Sequence, residues 1–284
     1  MDTLKNITEQ DITRDFENLK EVNINTISPL ATVGNKVVNY CSFNARMHTK
    51  GKKCVSFVEF INNAEKYQTK PSYINFMTNN GNNKRTKINN QYAYFRLCYG
   101  SISIFKPIMA MMIYDRYKPT IVLDFTAGWG GRLVGAAALN VKKYIGVENN
   151  ERLIEPYKKL SSFLSQHSIT EIEMIFKNCL DVDYSKLNYD MVLTSPPYYN
   201  TEIYQNESPY ATKNEWNTNF YVPIFEQTYK HLQKGGYYCL NIPIKIYENI
   251  CVPLLGECIE AIPMPRVSRG KTDNYKEFIY VWRN

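Results

Sequence analysis

Apolar positions recur at helical spacing over residues 6–22, where Ile7, Ile12, Phe16, Leu19 and Val22 share a side and Thr8 is a candidate cap. From 36 to 100 the chain is rich in Asn, Lys and Tyr with short apolar pieces such as CVSFVEFI. Within it, TNNGNNKRTKINN predicts a loop, because Asn and Gly favour turns and left-handed geometry. Past residue 100 the pattern changes. SIFKPIMAMMIYDRY predicts a helix, TIVLDF a buried strand ending at Asp124, and TAGWGG a turn into the small-residue helix RLVGAAALN. KKYIGVE and NERLIEPYKKLSSFLSQH repeat the strand–helix step. IEMIFKNCL and YDMVLTS predict two more strands, YVPIFEQTYKHLQKGG a helix closed by Gly235, and YYCLNI a fifth strand. CIEAIPMP and EFIYVWRN predict a closing pair. Near-continuous apolar strands alternating with helices mean a doubly wound, mostly parallel α/β sheet covered on both faces. The expected division is 1–100 as an N-terminal helical and loop region and 101–284 as the sheet domain.

Charge changes this picture in one place. The net charge is +7, yet residues 36–100 hold eleven basic against two acidic side chains, while 1–35 hold three against six. Lys50, Lys52, Lys53, Lys84, Arg85 and Lys87, in GKK and NNKRTK, are therefore candidate phosphate contacts for a polyanion; a solvated basic surface without a partner is the alternative. Hydrophobic residues at 44% supply a core. The polar start is no signal peptide, and no apolar run reaches spanning length, so a soluble intracellular protein without membrane contact is expected. The seven cysteines lack a CxxC and the three histidines are isolated, which predicts reduced thiols and no metal site. Cys98 and Cys239 read as core filler, with Cys179 and Cys239 inside strands.

The candidate chemistry sits at strand ends. In VLDFTAGWGG, Asp124 precedes glycines that bring backbone N–H groups and a helix N-terminus close to a ligand. A dinucleotide fingerprint would need its third glycine at Leu133. A carboxylate before the turn would repel pyrophosphate and suits a ligand with an amine, such as S-adenosylmethionine; a purely structural turn is the alternative. Glu148, ending the second strand, stands where an acid reaches ribose hydroxyls. TSPPYYNTEIY then ends a buried strand in two residues with no N–H to donate. Its carbonyls and the Ser195 hydroxyl are acceptors for the hydrogens of a base amine, which gathers positive charge as it attacks a methyl group. Tyr198 is a stacking surface worth about 1–3 kcal/mol, comparable to the cost of extruding a base; a structural kink is the alternative. Glu202, Tyr204, Tyr210 and Trp216 follow as candidate pocket residues, or as a lid packed on its own aromatics. Arg266, Arg269 and Lys271 form a second candidate backbone clamp or a solvated loop.

DFTAGWGG followed by TSPPYYN resembles the amino-methyltransferases of DNA, and GWGGR with SPPYYNTEIY resembles orphan methylases of phages and large DNA viruses. The resemblance covers about residues 100–284. It implies a Rossmann-like class I methyltransferase with a mostly parallel seven-stranded sheet, helices on both faces and an N-terminal basic extension. It implies S-adenosylmethionine as cofactor, held by Asp124, Phe125, Thr126, Ala127, Gly128, Gly130, Glu148 and Asn149, with Phe105 and Pro107 closing over its methionine end. Asn178 aligns where the family has an adenine-contacting acid, with Asp181 as a substitute. Ser195, Pro196, Pro197 and Tyr198 would be catalytic, acting on double-stranded DNA, and a homodimer is compatible with this reading. The serine variant goes with cytosine N4; adenine N6, a base amine of RNA, or an inactive nucleic-acid-binding subunit are the alternatives.

Overall fold

The computed structural model describes residues 4, 6–51, 53–81, 85–100, 102–199, 210–264 and 277–284. Its strands are β1 (Ile121–Asp124), β2 (Lys143–Glu148), β3 (Glu171–Phe176), β4 (Met191–Thr194), β5 (Tyr237–Pro243), β6 (Glu260–Pro263) and β7 (Glu277–Arg283). They form one seven-stranded sheet in the order β3-β2-β1-β4-β5-β7-β6. The first five run parallel, and β7 lies antiparallel between β5 and β6. The strand expected through KNCL stops at Phe176. Asn178 there turns the chain by accepting the Leu180 N–H at 3.1 Å, so Cys179 sits in a 3₁₀ turn and not in a strand.

Helices α1 (Glu9–Lys20) and α2 (Asn35–His48) open the chain; α3 (Phe57–Asn62), α4 (Ala64–Tyr67), α5 (Pro71–Asn80) and α6 (Lys87–Cys98) follow. Within the sheet region come α7 (Pro107–Tyr117), α8 (Gly131–Ala138), α9 (Ile154–His167), α10 (Lys213–Trp216), α11 (Val222–Lys230), α12 (Ile244–Ile246) and α13 (Val252–Leu255). Strand alternation divides the apolar residues between two cores. Val122 and Leu193 face α7, α8 and α9, while Leu123 and Val192 face α11 with Phe225 and Tyr238. Among the described residues, no helix is long and apolar enough to cross a membrane.

The N-terminal part differs from expectation. Helix α1 forms as its spacing predicts, with Thr8 and Asp11 in a reciprocal capping box. Its Ile12, Phe16 and Leu19 are buried in the first core together with Val37 and Val38 of α2. Packing therefore does not divide at residue 100. Residues 43–99 build a separate aromatic cluster from Phe43, Phe57, Phe60, Tyr67, Tyr94 and Phe95. The stretch expected as a loop is helical at both ends: α5 runs to Asn80, and Thr86 caps α6. Cys239 is fully buried as core filler, whereas Cys98 is only half-buried at the end of α6.

Small residues let α7 and its lead-in approach α8. A Cβ on Gly131 would lie 1.8 Å from the Phe105 carbonyl oxygen, and one on Gly135 would lie 2.7 Å from both Ala110 Cβ and the Pro107 oxygen. Backbone cannot give way as a flexible side chain can, and overpacking costs on the order of 1–3 kcal/mol or more. Gly131→Ala is accordingly expected to destabilise the chain by about 3 kcal/mol, read as a lowered midpoint in denaturant titration.

Candidate active site

Strands β1 and β4 are parallel neighbours, with Val122 opposite Met191 and Leu123 opposite Val192. Their carboxyl ends therefore open on the same edge, where the strand order reverses and open α/β sheets hold ligands. The glycine turn leaves β1 and the proline lip leaves β4. Thr126 and Thr194 join them by a hydroxyl contact of 2.6 Å.

Asp124 corrects its sequence reading. It is fully buried, and both its oxygens are engaged. Arg132 donates Nε to Oδ2 at 2.6 Å and a terminal nitrogen to Oδ1 at 3.1 Å. Tyr144 adds 2.6 Å to Oδ2 and Thr194 adds 2.8 Å to Oδ1. No face of this carboxylate is left for a ligand's amine. It ties β1, β2, β4 and α8 together, and Arg132 extends the knot to the Thr126 carbonyl at 2.5 Å.

Glu148 is built differently. Its Oε2 accepts the Gly128 N–H at 2.7 Å and its Oε1 the Asn150 N–H at 2.8 Å. A carboxylate carries about four acceptor sites, and the Asn149 N–H also acts on this one, so part of its acceptor capacity remains. Burial pushes its pKa up to about 7; the Asn150 and Gly128 N–H groups oppose this and the Asp124 charge adds to it. Gly128 and Gly130 take φ of 59° and 86°, a left-handed geometry that only glycine adopts freely. Tyr157 pins the turn by donating to the Gly128 carbonyl at 3.0 Å.

Thr126, Gly128, Gly130, Glu148 and the exposed Asn149 thus gather at the β1–β2 edge. Other expected cofactor residues turn inward. Phe125 packs in the second core against Phe225, Ala127 is buried, and Pro107 is buried as the first residue of α7. Phe105 lies half-buried beneath the Arg132 guanidinium, 5.1 Å from ring centre to cation. Asn178 and Asp181 are exposed beyond the end of β3.

The lip is tied down on two sides. Tyr221, buried in the second core, donates to the Pro197 carbonyl at 2.6 Å and accepts the Tyr199 N–H at 3.0 Å. One of the carbonyls expected to face outward is therefore committed inward. Tyr199 itself holds φ 52°, a strained value for a tyrosine. On the other side the Tyr198 hydroxyl lies 3.0 Å from Ser195 Oγ, 2.9 Å from the Asn241 carbonyl and 2.7 Å from Glu277 Oε1. Asn241 Oδ1 accepts from Ser195 at 3.2 Å and from Tyr198 at 3.0 Å. Sequence reasoning missed Tyr221, Asn241 and Glu277; the signal available was the lone amide in the apolar strand YYCLNI. Trp216 is buried and packs edge-on to Tyr210 and Phe220. Glu202, Tyr204, Arg266, Arg269 and Lys271 lie outside the described residues.

Of the basic candidates, Lys50, Lys53, Arg85 and Lys87 are exposed, while Lys52 and Lys84 lie outside the described residues. Arg46, which contributes to the basic window, is buried in α2 and bonded to Asn39. Lys53 instead joins Lys66 and Lys70 around Tyr67 and Tyr99, with ammonium-to-ring distances of 5.0–6.0 Å. The sequence reading named neither Lys66 nor Lys70.

No family model and no curated protein matches the chain. Among solved structures, an rRNA methylase from Streptococcus thermophilus aligns at 19% identity and TM-score 0.41, over 63% of this chain and 97% of that one. TrmN from Thermus thermophilus aligns at 15% and 0.44, over 62% and 48%. TehB from Haemophilus influenzae aligns at 14% and 0.42, over 67% and 65%. The chain thus spans less than two thirds of the latter two.

Glu148 gives a pH signature with a definite sign. Its folded-state pKa of about 7 lies above the ordinary value of 4.5, so the folded protein holds this proton more tightly. The associated stability is fully present below pH 4.5 and is lost as pH rises through 7. The stability difference between wild type and Glu148→Gln should therefore fall, on the order of 3 kcal/mol, between about pH 4.5 and 8. Paired denaturant titrations across that window measure it.

Proposed function

We propose that this chain is an S-adenosylmethionine-dependent methyltransferase acting on an exocyclic base amine in DNA, with cytosine N4 the favoured target. The observation that carries this reading is the convergence of the glycine turn and the Ser195–Tyr198 lip at the ends of two adjacent parallel strands, tied by Thr126 and Thr194. The residues at the β1–β2 edge fit the methyl donor. Glu148 retains acceptor capacity for ribose hydroxyls, the first amides of α8 favour a carboxylate, and the left-handed turn lets backbone approach the ligand. When bound, the cofactor supplies an electrophilic methyl group.

The chain's own residues do the rest by orientation. Ser195 Oγ is an acceptor for one amine hydrogen, favouring the charge that builds on nitrogen during attack. With its hydroxyl anchored, the Tyr198 ring is a fixed plate for a base and not a swinging arm. Holding two reactants this way is worth effective molarities of about 10⁵–10⁸ M. The lysines of the N-terminal region would contact phosphates, positioning a strand without reading its sequence.

Ser195→Ala and Tyr198→Phe are expected to lower methyl transfer by at least about 100-fold while leaving calorimetric S-adenosylmethionine binding intact. Mass analysis of nucleosides from treated DNA identifies the product: N4-methylcytosine supports the reading, N6-methyladenine corrects the base, and methyl uptake into RNA alone overturns DNA as substrate. Replacing Lys50, Lys53 and Lys87 with Ala should reduce the slope of log affinity against log salt by about 0.9 for each phosphate no longer neutralised. An unchanged slope would remove these lysines from the interface.

A further inference from the structure

We propose that Glu277 is the terminal proton acceptor of a relay through Ser195 and Tyr198, with Asn241 as its positioning residue. The inference rests on the reading of the lip as an amine-methylating site. Serine alone is a weak base, so the lip needs something to hold the Ser195 proton away from the substrate and to take up the proton the amine releases. Glu277 opens β7 opposite Pro243 of β5 and brings a carboxylate oxygen 2.7 Å from the Tyr198 hydroxyl. Asn241, 2% exposed in the apolar strand β5, donates Nδ2–H to the Phe278 carbonyl at 3.2 Å. That bond fixes the amide so that its Oδ1 faces both hydroxyls.

The order of the contacts gives the direction. Ser195 Oγ lies 3.0 Å from the Tyr198 hydroxyl, which itself lies 2.7 Å from Glu277 Oε1, so a chain of hydroxyls runs from the lip to a carboxylate, with Asn241 Oδ1 beside both hydroxyls. Both hydroxyl protons are drawn inward, which leaves Ser195 Oγ lone pairs for the substrate. A carboxylate at the inner end of such a chain holds a transferred proton better than either hydroxyl does. A lip needing only mechanical restraint would be held by Asn241 and Tyr221 without a carboxylate.

In the step itself, the amine nitrogen's lone pair forms the bond to the methyl carbon. The electrons of the breaking C–S bond stay on sulfur, which becomes a neutral thioether. The nitrogen, now carrying one proton too many, passes it to Ser195 Oγ as the Ser195 proton moves to the Tyr198 oxygen. The Tyr198 proton moves to Glu277, which ends as a neutral carboxylic acid and later releases the proton to water.

Glu277→Gln keeps the shape and an acceptor but removes the base. It is expected to lower kcat by about 100-fold with KM for DNA, S-adenosylmethionine affinity and melting temperature unchanged. Glu277→Asp should recover part of the rate, and added formate should restore turnover to Glu277→Ala. In the ligand-free protein, the infrared carboxylate band that disappears in Glu277→Gln should shift in Tyr198→Phe. An active wild type alongside an equally active Glu277→Gln overturns the relay alone. Loss of cofactor binding in step with kcat, or a carboxylate band indifferent to Tyr198→Phe, overturns it as well. A wild type that methylates no base amine in DNA or RNA overturns the parent reading instead.

Discussion

The buried Asp124–Arg132 pair is the interaction on which the remaining architecture depends. A carboxylate removed from water costs several kcal/mol unless it is neutralised and its lone pairs are satisfied. Here a bidentate guanidinium, a tyrosine and a threonine do both. Those donors come from α8, β2 and β4, so the charge can be accommodated only when the helix and three strands stand in register. The same guanidinium fixes the Thr126 carbonyl, and Thr126 in turn touches Thr194. The starting points of the glycine turn and the proline lip are thus set by one electrostatic constraint.

Two acids at neighbouring strand ends therefore divide the work. Asp124 is saturated and holds the frame, whereas Glu148 supports the turn through two backbone N–H groups and keeps acceptor capacity in reserve. Burial lifts the Glu148 pKa to about 7 because only backbone dipoles, and no cation, oppose desolvation. An acid left in that state favours a ligand that brings donors to it.

The sheet was legible because each strand is a short apolar run between turn residues, a pattern fixed by burial on both faces. The helices between 35 and 98 were not, because their buried face is largely aromatic and Asn recurs among their other positions, a residue that propensity alone assigns to turns. At the site, chain order revealed the glycine turn and the Ser195–Tyr198 lip. Sequence could not tell which way an acid at a strand end points; Arg132, eight positions after Asp124, was the clue that it faces inward. Tyr221, Asn241 and Glu277 reach the lip from 22 to 79 positions away, and no local pattern encodes such contacts.

Those distant contacts explain how an irregular segment acquires a fixed shape. The five residues Asn217–Tyr221 form a π-helical turn between α10 and α11, a widening that alters which side chains face the lip. Tyr221 then binds the backbone on both sides of Tyr198, while β5 and β7 hold the Tyr198 hydroxyl. Each tether removes freedom the lip would otherwise lose on binding a ligand. The strained φ of Tyr199 is tolerated because the tethers leave the backbone no easier path. A surface held from the second core on one side and the antiparallel edge on the other can present Ser195 to a ligand without reorganising, which is the condition under which a neutral hydroxyl becomes an effective acceptor.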